Sequence, residues 1–375
     1  MERVQSISST DAENTVKIKK QRDINIDLIR CVAIFCLPSI HFLLYSGFYD
    51  IPVTGWVMYL MTTIRTISMM CIPLFLLLTG YLMSKKQFSR KYFDGIIRIF
   101  LIFILCNIPI YLYRRFVAGE LLDLKGFIVQ LFSLKEYSWY VSVYIWLFCS
   151  IPFLNIVYNG IKLKSGKQAL LLVSIAFTVL PSFWNYYSSY MPSVFTSLYP
   201  ITYYYIGAYI RDYHKDGGKW KMLAFFVISI AACSTINILV SLDKKFLWNM
   251  LNDWGSFENT LSATFLFLFL KKLDLSRIPK LVRVIITKVA EWSFGAYLLS
   301  WIFDQIFYPK LIEAVPNVID RMKYYPIMVF SVIICATLLS GIVYGIYNAA
   351  VIAAGKIRVR VGQKADNNND NNISG

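Results

Sequence analysis

Ten stretches of the chain are apolar almost without interruption: 24–46, 57–83, 95–113, 138–158, 169–187, 195–210, 221–240, 255–271, 286–307 and 325–354. A helix needs about 20 mostly apolar residues to cross the hydrocarbon core of a bilayer, and most of these runs reach that length. The sixth is short, and the first and ninth carry charges. Within each run the apolar residues are consecutive, not alternating, which excludes the strands of a membrane barrel. The pattern predicts an all-α integral membrane protein, a bundle of about ten transmembrane helices over residues 24–354. The flanks 1–23 and 355–375 are polar, and the chain closes on the low-complexity run GQKADNNNDNNISG, so both are expected to be disordered.

Composition strengthens this reading. Of 375 residues 57% are hydrophobic and 16% charged, with mean hydropathy +0.54; a soluble domain carries about 25% charged residues. Lys and Arg number 38 against 22 Asp and Glu, a net charge of +16. A nucleic-acid binder shares that sign but does not string its charges between long apolar runs, so no nucleic-acid partner is expected. The basic residues orient the chain instead, because cytoplasmic loops are enriched in them. With the N-terminus inside, the inner segments hold 27 Lys and Arg and the outer loops 9; Arg30 and Arg65, within spans, complete the 38. Both termini are therefore expected in the cytoplasm, with the chain multi-pass in the cell membrane. Residues 1–23 contain no short apolar core with a cleavage site, so the first span is expected to stay as an uncleaved anchor. The seven cysteines all lie in apolar runs, without a CxxC pair, and there are two histidines. Neither a disulfide framework nor a metal centre is expected.

Ionisable residues inside spans are costly and mark function. The first span, IDLIRCVAIFCLPSIHFLLY, holds Asp27, Arg30 and His41. Eleven residues make three helical turns plus about 20°, so Arg30 and His41 project from one face about 16 Å apart. The spacing predicts that both line one cavity, His41 the deeper. Asp27 lies one turn below Arg30 and can pair with it. Pro38 removes a backbone hydrogen bond just below His41. The plainer reading is that Asp27 and Arg30 sit at the interface while His41 bonds a neighbouring helix. Against it, a deep histidine exchanges protons near neutral pH. Arg65 enters the second span from the outer side without an evident role, and His214 is expected to be solvated in a loop.

Arg30, ten residues and then His41 resembles the R-x10-H signature of the membrane acyltransferase 3 family. Four more stretches resemble that family in the same order: IPLFLLLTGYLMSKK (72–86), SWYVSVYIWLFCSIPFLN (138–155), YYYIGAYIRDY (203–213) and SFGAYLLSWIF (293–303). Two positions depart from its pattern. The arginine pair that opens the third helix is Asp94 and Arg98 here, and Ser300 stands where a histidine is frequent. The resemblance implies about ten helices with both ends cytoplasmic, and transfer of an acyl group, usually acetyl, from acyl-CoA to a hydroxyl of a glycan or lipid-linked sugar. It implies that Arg98, with Arg30 and the cluster Lys85, Lys86, Arg90 and Lys91, holds the phosphates of the donor, and that His41, with Arg30 and Asp27, carries the chemistry.

Each of these residues has a plainer reading. The positive-inside rule alone accounts for Lys85, Lys86, Arg90 and Lys91. Trp139 and Tyr140 open the fourth span near the outer interface, where aromatic belts form, as does the run SFWNYYSSYMPSVFTSLYP (182–200). The functional alternative for Trp139 and Tyr140 is contact with the acceptor, since sugar rings stack on aromatic faces, and the outer loops at 47–56 and 184–199 are almost uncharged. A competing class is a transporter or flippase for a glycan or small anion, which buried Asp27, Arg30 and His41 would also suit. The two halves of the chain show no similarity of the kind such carriers have.

Overall fold

The computed structural model describes residues 22–134, 136–183, 192–214 and 218–373; for Lys91, Glu136, Ser193, Met250 and residues 355–373 it describes the backbone alone. Residues 1–21, positions 184–187 of the fifth apolar run, residues 184–191 of the aromatic run at 182–200 and the last two residues lie outside the described residues. The described chain is all-α. In order it forms α1 (Ile24–Tyr45), α2 (Gly55–Ser68), α3 (Cys71–Met83), α4 (Arg90–Leu112), α5 (Leu124–Leu131) and α6 (Trp139–Gly160). There follow α7 (Lys164–Thr178), α8 (Tyr199–Tyr213), α9 (Lys219–Ser241), α10 (Phe257–Lys271), α11 (Lys280–Ala314) and α12 (Tyr325–Ile373). Among the described residues two isolated bridges, Pro52–Lys245 and Val53–Leu242, are the whole of the β pairing.

Among the described residues seven segments are long and apolar enough to cross a membrane: Ile24–Tyr45, Gly55–Met83, Tyr92–Val117, Trp139–Gly160, Lys164–Phe183, Lys219–Ser241 and Val318–Ala354. The other three expected spans are helices of a different character. α8 and α10 have 15 residues each, short of a full crossing. α11 has 35, since Lys280, Arg283 and Lys288 extend its helix ahead of the apolar stretch. The second run is not one helix. α2 ends at Ser68 and α3 starts at Cys71, because Pro73 has no N–H to return to residue 69. α12 runs on to Ile373, past the boundary that the sequence places at residue 354.

α1 stands at the centre, packed against α2, α3, α10, α11 and α12, and it stays helical through Pro38. Both its ends are tied down. Asn25 Nδ2 donates to the carbonyls of Leu270 and Leu273 at 2.9 and 2.8 Å, satisfying the open C-terminus of α10. At the other end Arg321 donates to the carbonyls of Ser46, Val315 and Pro316. α3 and α8 cross backbone to backbone at two glycines. A Cβ on Gly80 would stand 1.9 Å from the Tyr204 carbonyl oxygen, and one on Gly207 2.1 Å from that of Leu77. Small residues permit such an approach where no hydrophobic gain drives helices together in lipid. This crossing fixes α3 as one wall of the site.

Candidate active site

α1, α3, α4, α6, α11 and α12 surround a cavity of about 490 Å³. Its α3 wall runs from Cys71 to Met83, twelve residues or about 18 Å along the helix axis. One end carries the charges: Arg30, Arg98 and Glu291. Glu291 is neutralised by Lys288 at 3.1 Å. Arg98 is exposed, lies 5.8 Å from the Tyr347 ring, and has no carboxylate partner among the described residues. Arg30 is held at 3.1 Å by Asp27, whose buried carboxylate also takes Arg22 at 2.5 Å. Two guanidiniums share one carboxylate, so that end keeps a net positive charge. The bond to Asp27 raises the Arg22 guanidinium above its already high ordinary value.

The far end is formed by Leu37, Cys71, Ile72, Tyr140 and Tyr297. The phenol oxygens of Tyr140 and Tyr297 are buried and have no hydrogen-bond partner among the described residues. An unpaired buried hydroxyl costs about 1–3 kcal/mol, and a ligand offering carbonyl or amide groups removes that cost. The cavity therefore suits a long, narrow molecule with an anionic head and a few polar groups along its length.

His41 is one helical turn, about 6 Å, beyond Leu37 on α1. Its Nδ1 is 2.6 Å from Asp304 Oδ2 on α11, and the carboxylate is fully buried while the imidazole keeps 20% of its surface exposed. The second oxygen, Asp304 Oδ1, has no partner among the described residues. Rings of Tyr45 and Tyr308 pack nearby, Tyr45 at 5.9 Å from His41 and at 5.4 Å from Tyr308. With Nδ1 given to Asp304, Nε2 is the nitrogen left to take a proton.

The structure brings some of the expected residues together and separates others. Arg30, Arg98 and Tyr140 line the one cavity. His41 does not; its Nδ1 is paired with Asp304 and the residue is off the lining. Asp27 lies outside the cavity too and acts on it through Arg30. Lys85 is taken up by Asp212 and Asn159 at 3.1 and 3.0 Å. Lys86 and Arg90 are exposed and off the lining, and the Lys91 side chain is outside the described residues. Trp139 stands beside Tyr140, ring centroids 6.2 Å apart, but does not reach the cavity. Asp94 is exposed, and Ser300 donates to its own helix at Tyr297 O. His214 caps the end of α8 and is half-buried.

Asp304 falls outside the motifs that mark the other candidates. It is a carboxylate in the apolar run 286–307, and the rule that singles out Asp27, Arg30 and His41 applies to it unchanged. Among the described residues no cluster of His, Cys, Asp and Glu is placed to hold a metal ion.

These features describe a helical membrane protein with two arginines in the wall of a cavity and a histidine–carboxylate pair one helical turn past it on α1. Comparison with known families makes the class specific: residues 23–344 match the family model described as an acyltransferase domain, and the chain belongs to this acyltransferase 3 family of membrane acyltransferases. No curated protein and no solved structure matches the chain.

Proposed function

We propose that the protein is a membrane O-acyltransferase that moves an acyl group, acetyl above all, from cytoplasmic acyl-CoA to a hydroxyl of a cell-surface glycan or lipid-linked sugar. The observation that carries this reading is the His41–Asp304 pair set one turn beyond an arginine-mouthed cavity. In this reading the chain crosses the cell membrane ten times, α8 and α10 as short spans, with both termini in the cytoplasm, and the mouth then opens on the donor's side. Arg98 and Arg30 face the phosphates there, where guanidinium forks bind phosphate well. The pantetheine arm runs up the cavity past Tyr140 and Tyr297, and the thioester arrives within about one helical turn of the imidazole.

His41 Nε2 removes the proton of the acceptor hydroxyl as its oxygen attacks the thioester carbonyl. The new C–O bond forms, the C–S bond breaks, and the imidazolium returns its proton to the departing thiolate of CoA. Asp304 holds the ring in one tautomer and stabilises the imidazolium, as the carboxylate of a hydrolase triad does.

The test is product mass. Purified wild-type protein given acetyl-CoA and glycan acceptor yields an acceptor heavier by one acetyl group. His41→Ala stays folded and binds donor, while transfer falls by about 10²–10⁴-fold. Undiminished acylation by His41→Ala removes the proposed base. A carrier that used His41 to shuttle protons would give no acylated product with either protein.

A further inference from the structure

Beyond the histidine, the connection between α9 and α10 makes a structure that the mechanism above does not use. Residues 242–256 contribute Trp248 and Trp254, and their rings continue a chain that begins in the cavity wall. Tyr140 touches Trp139 at 6.2 Å, Trp139 touches Trp254 at 5.9 Å, and Trp254 touches Trp248 at 6.4 Å. Trp248 then stacks on Tyr49, 5.7 Å away and 24° from parallel. Tyr49 belongs to the turn that follows α1, so the rings bridge the outer ends of the helices that carry His41 and Tyr140. Trp248 is 41% exposed.

The loop is held rigid from below. Arg65 is completely buried, with its guanidinium carbon 4.5 Å from the Phe246 ring centroid and 5.0 Å from that of Trp248. The same group donates to Tyr49 Oη at 3.0 Å and to the Asn252 carbonyl at 3.2 Å. Val53 N–H donates to Lys244 O at 2.8 Å, sewing the loop to the connection between α1 and α2. Tyr203 Oη donates to Trp254 O at 2.9 Å. A desolvated cation costs several kcal/mol unless its surroundings compensate. Here it is spent on fixing two aromatic rings, which is the role the sequence left open for Arg65.

Beside Trp254 lies a small pocket of about 90 Å³ lined by hydroxyls and one carboxylate, including Thr178, Ser182, Thr196, Ser197, Asp253 and Ser256. Aromatic faces next to a hydroxyl-rich pocket match one ligand chemistry. A pyranose ring offers C–H faces to stack and hydroxyls to hydrogen-bond. Tryptophans of an interfacial belt have no need to touch one another, or to lead from a rigid loop to a cavity wall.

Resting on the acyltransferase reading, we infer that Trp139, Trp254 and Trp248 form the platform on which a sugar ring of the acceptor stacks, while the neighbouring pocket takes hydroxyls of that glycan. Preorganisation by Arg65 lowers the ordering cost of binding.

The experiment uses the full-length protein in lipid nanodiscs, radiolabelled acetyl-CoA, and envelope glycan of the source cells stripped of esters with mild alkali. Trp254→Phe keeps an aromatic face and Trp254→Leu removes it at similar bulk, so packing loss is shared and stacking loss is not. The expected result is an acceptor KM within about threefold of wild type for Trp254→Phe and raised tenfold or more for Trp254→Leu, with donor KM unchanged in both. Trp248→Ala, at an exposed position, raises the acceptor KM in the same way. This split is the signature of lost ground-state binding. Equal acceptor KM for the Phe and Leu variants, with wild type active, overturns the platform and leaves the acyltransferase reading standing. A wild-type protein that labels no glycan overturns both.

Discussion

Asp304 illustrates what one side chain does for another. A free imidazole exchanges its proton between two nitrogens and turns about χ2; a carboxylate 2.6 Å from Nδ1 ends both freedoms. Asp304→Asn leaves a hydrogen bond in place but offers an amide that can hold either tautomer. The expected outcome is a fall in kcat of roughly 10²–10⁴-fold with donor affinity retained, and partial recovery in Asp304→Glu. A purely structural role would lower the amount of folded protein and leave the kcat of the survivors unchanged. At the mouth, Arg98→Ala should weaken donor binding more than it slows turnover at saturating donor, checked by calorimetric titration with acyl-CoA. Arg30, Arg98 and Tyr140 were legible from the sequence because charge or motif marks them and the fold gathers them at one cavity. His41 was legible as a residue but not in its direction, since its facing depends on a carboxylate 263 positions away. The lysines near the mouth looked equivalent in sequence. Their difference comes from Asp212 and Asn159, which arrive from other helices to engage Lys85.

At the level of helices, continuous apolar runs are a strong signal: each of the ten overlaps described helix, and seven of them are long and apolar enough to cross a membrane. The runs do not report where a helix pauses or how far it outlasts its apolar core. Pro73 splits the second run, and the basic residues 280–288 stay helical because nothing there breaks the backbone. The loop 242–256 was silent for the same reason: its order comes from Arg65 beneath it and from two bridges to residues 52 and 53. Glycine in TGY and YIGAY reads as motif in the sequence and as contact in the fold. Gly207→Ala pushes a methyl into the Leu77 carbonyl, at 2.1 Å before relaxation, and α3 and α8 must part. Overpacking of this kind costs about 1–3 kcal/mol. The expected result is a lower thermal midpoint for the variant in nanodiscs than for Gly345→Ala, where a methyl meets nothing within 4 Å.

Across the whole molecule, the proposed orientation puts the excess of basic loop residues and the arginine mouth of the cavity on the same, cytoplasmic face. Cysteine labelling checks the topology in intact cells. On a background without native cysteines, a cysteine placed at Lys86 should resist a membrane-impermeant maleimide until the cells are opened, and one placed at Lys244 should react at once. The reverse pattern would turn the donor mouth outward, away from acyl-CoA, and the proposed function with it. Net charge and loop asymmetry are how the sequence expresses an expected orientation, since they act by summation and need no contacts. The cavity is the opposite case. It exists because six helices fail to close around one volume, and no local pattern encodes that.

The cavity wall along α3 has a consequence for the cell's energy supply. A membrane potential stores about 2.3 kcal/mol per elementary charge per 100 mV, and any wet passage through the insulating layer drains it. This cavity reaches about 18 Å into that layer, yet its sides are Phe75, Leu78, Ile99, Ile102 and Phe294, which offer a bare ion no replacement for its hydration shell. In the proposed orientation Arg30 and Arg98 hold positive charge at the cytoplasmic mouth, which a cation driven inward by this route would have to pass. A conduit that on this reading admits an acyl chain is thereby closed to current, and the protein can stand idle in an energised membrane without short-circuiting it.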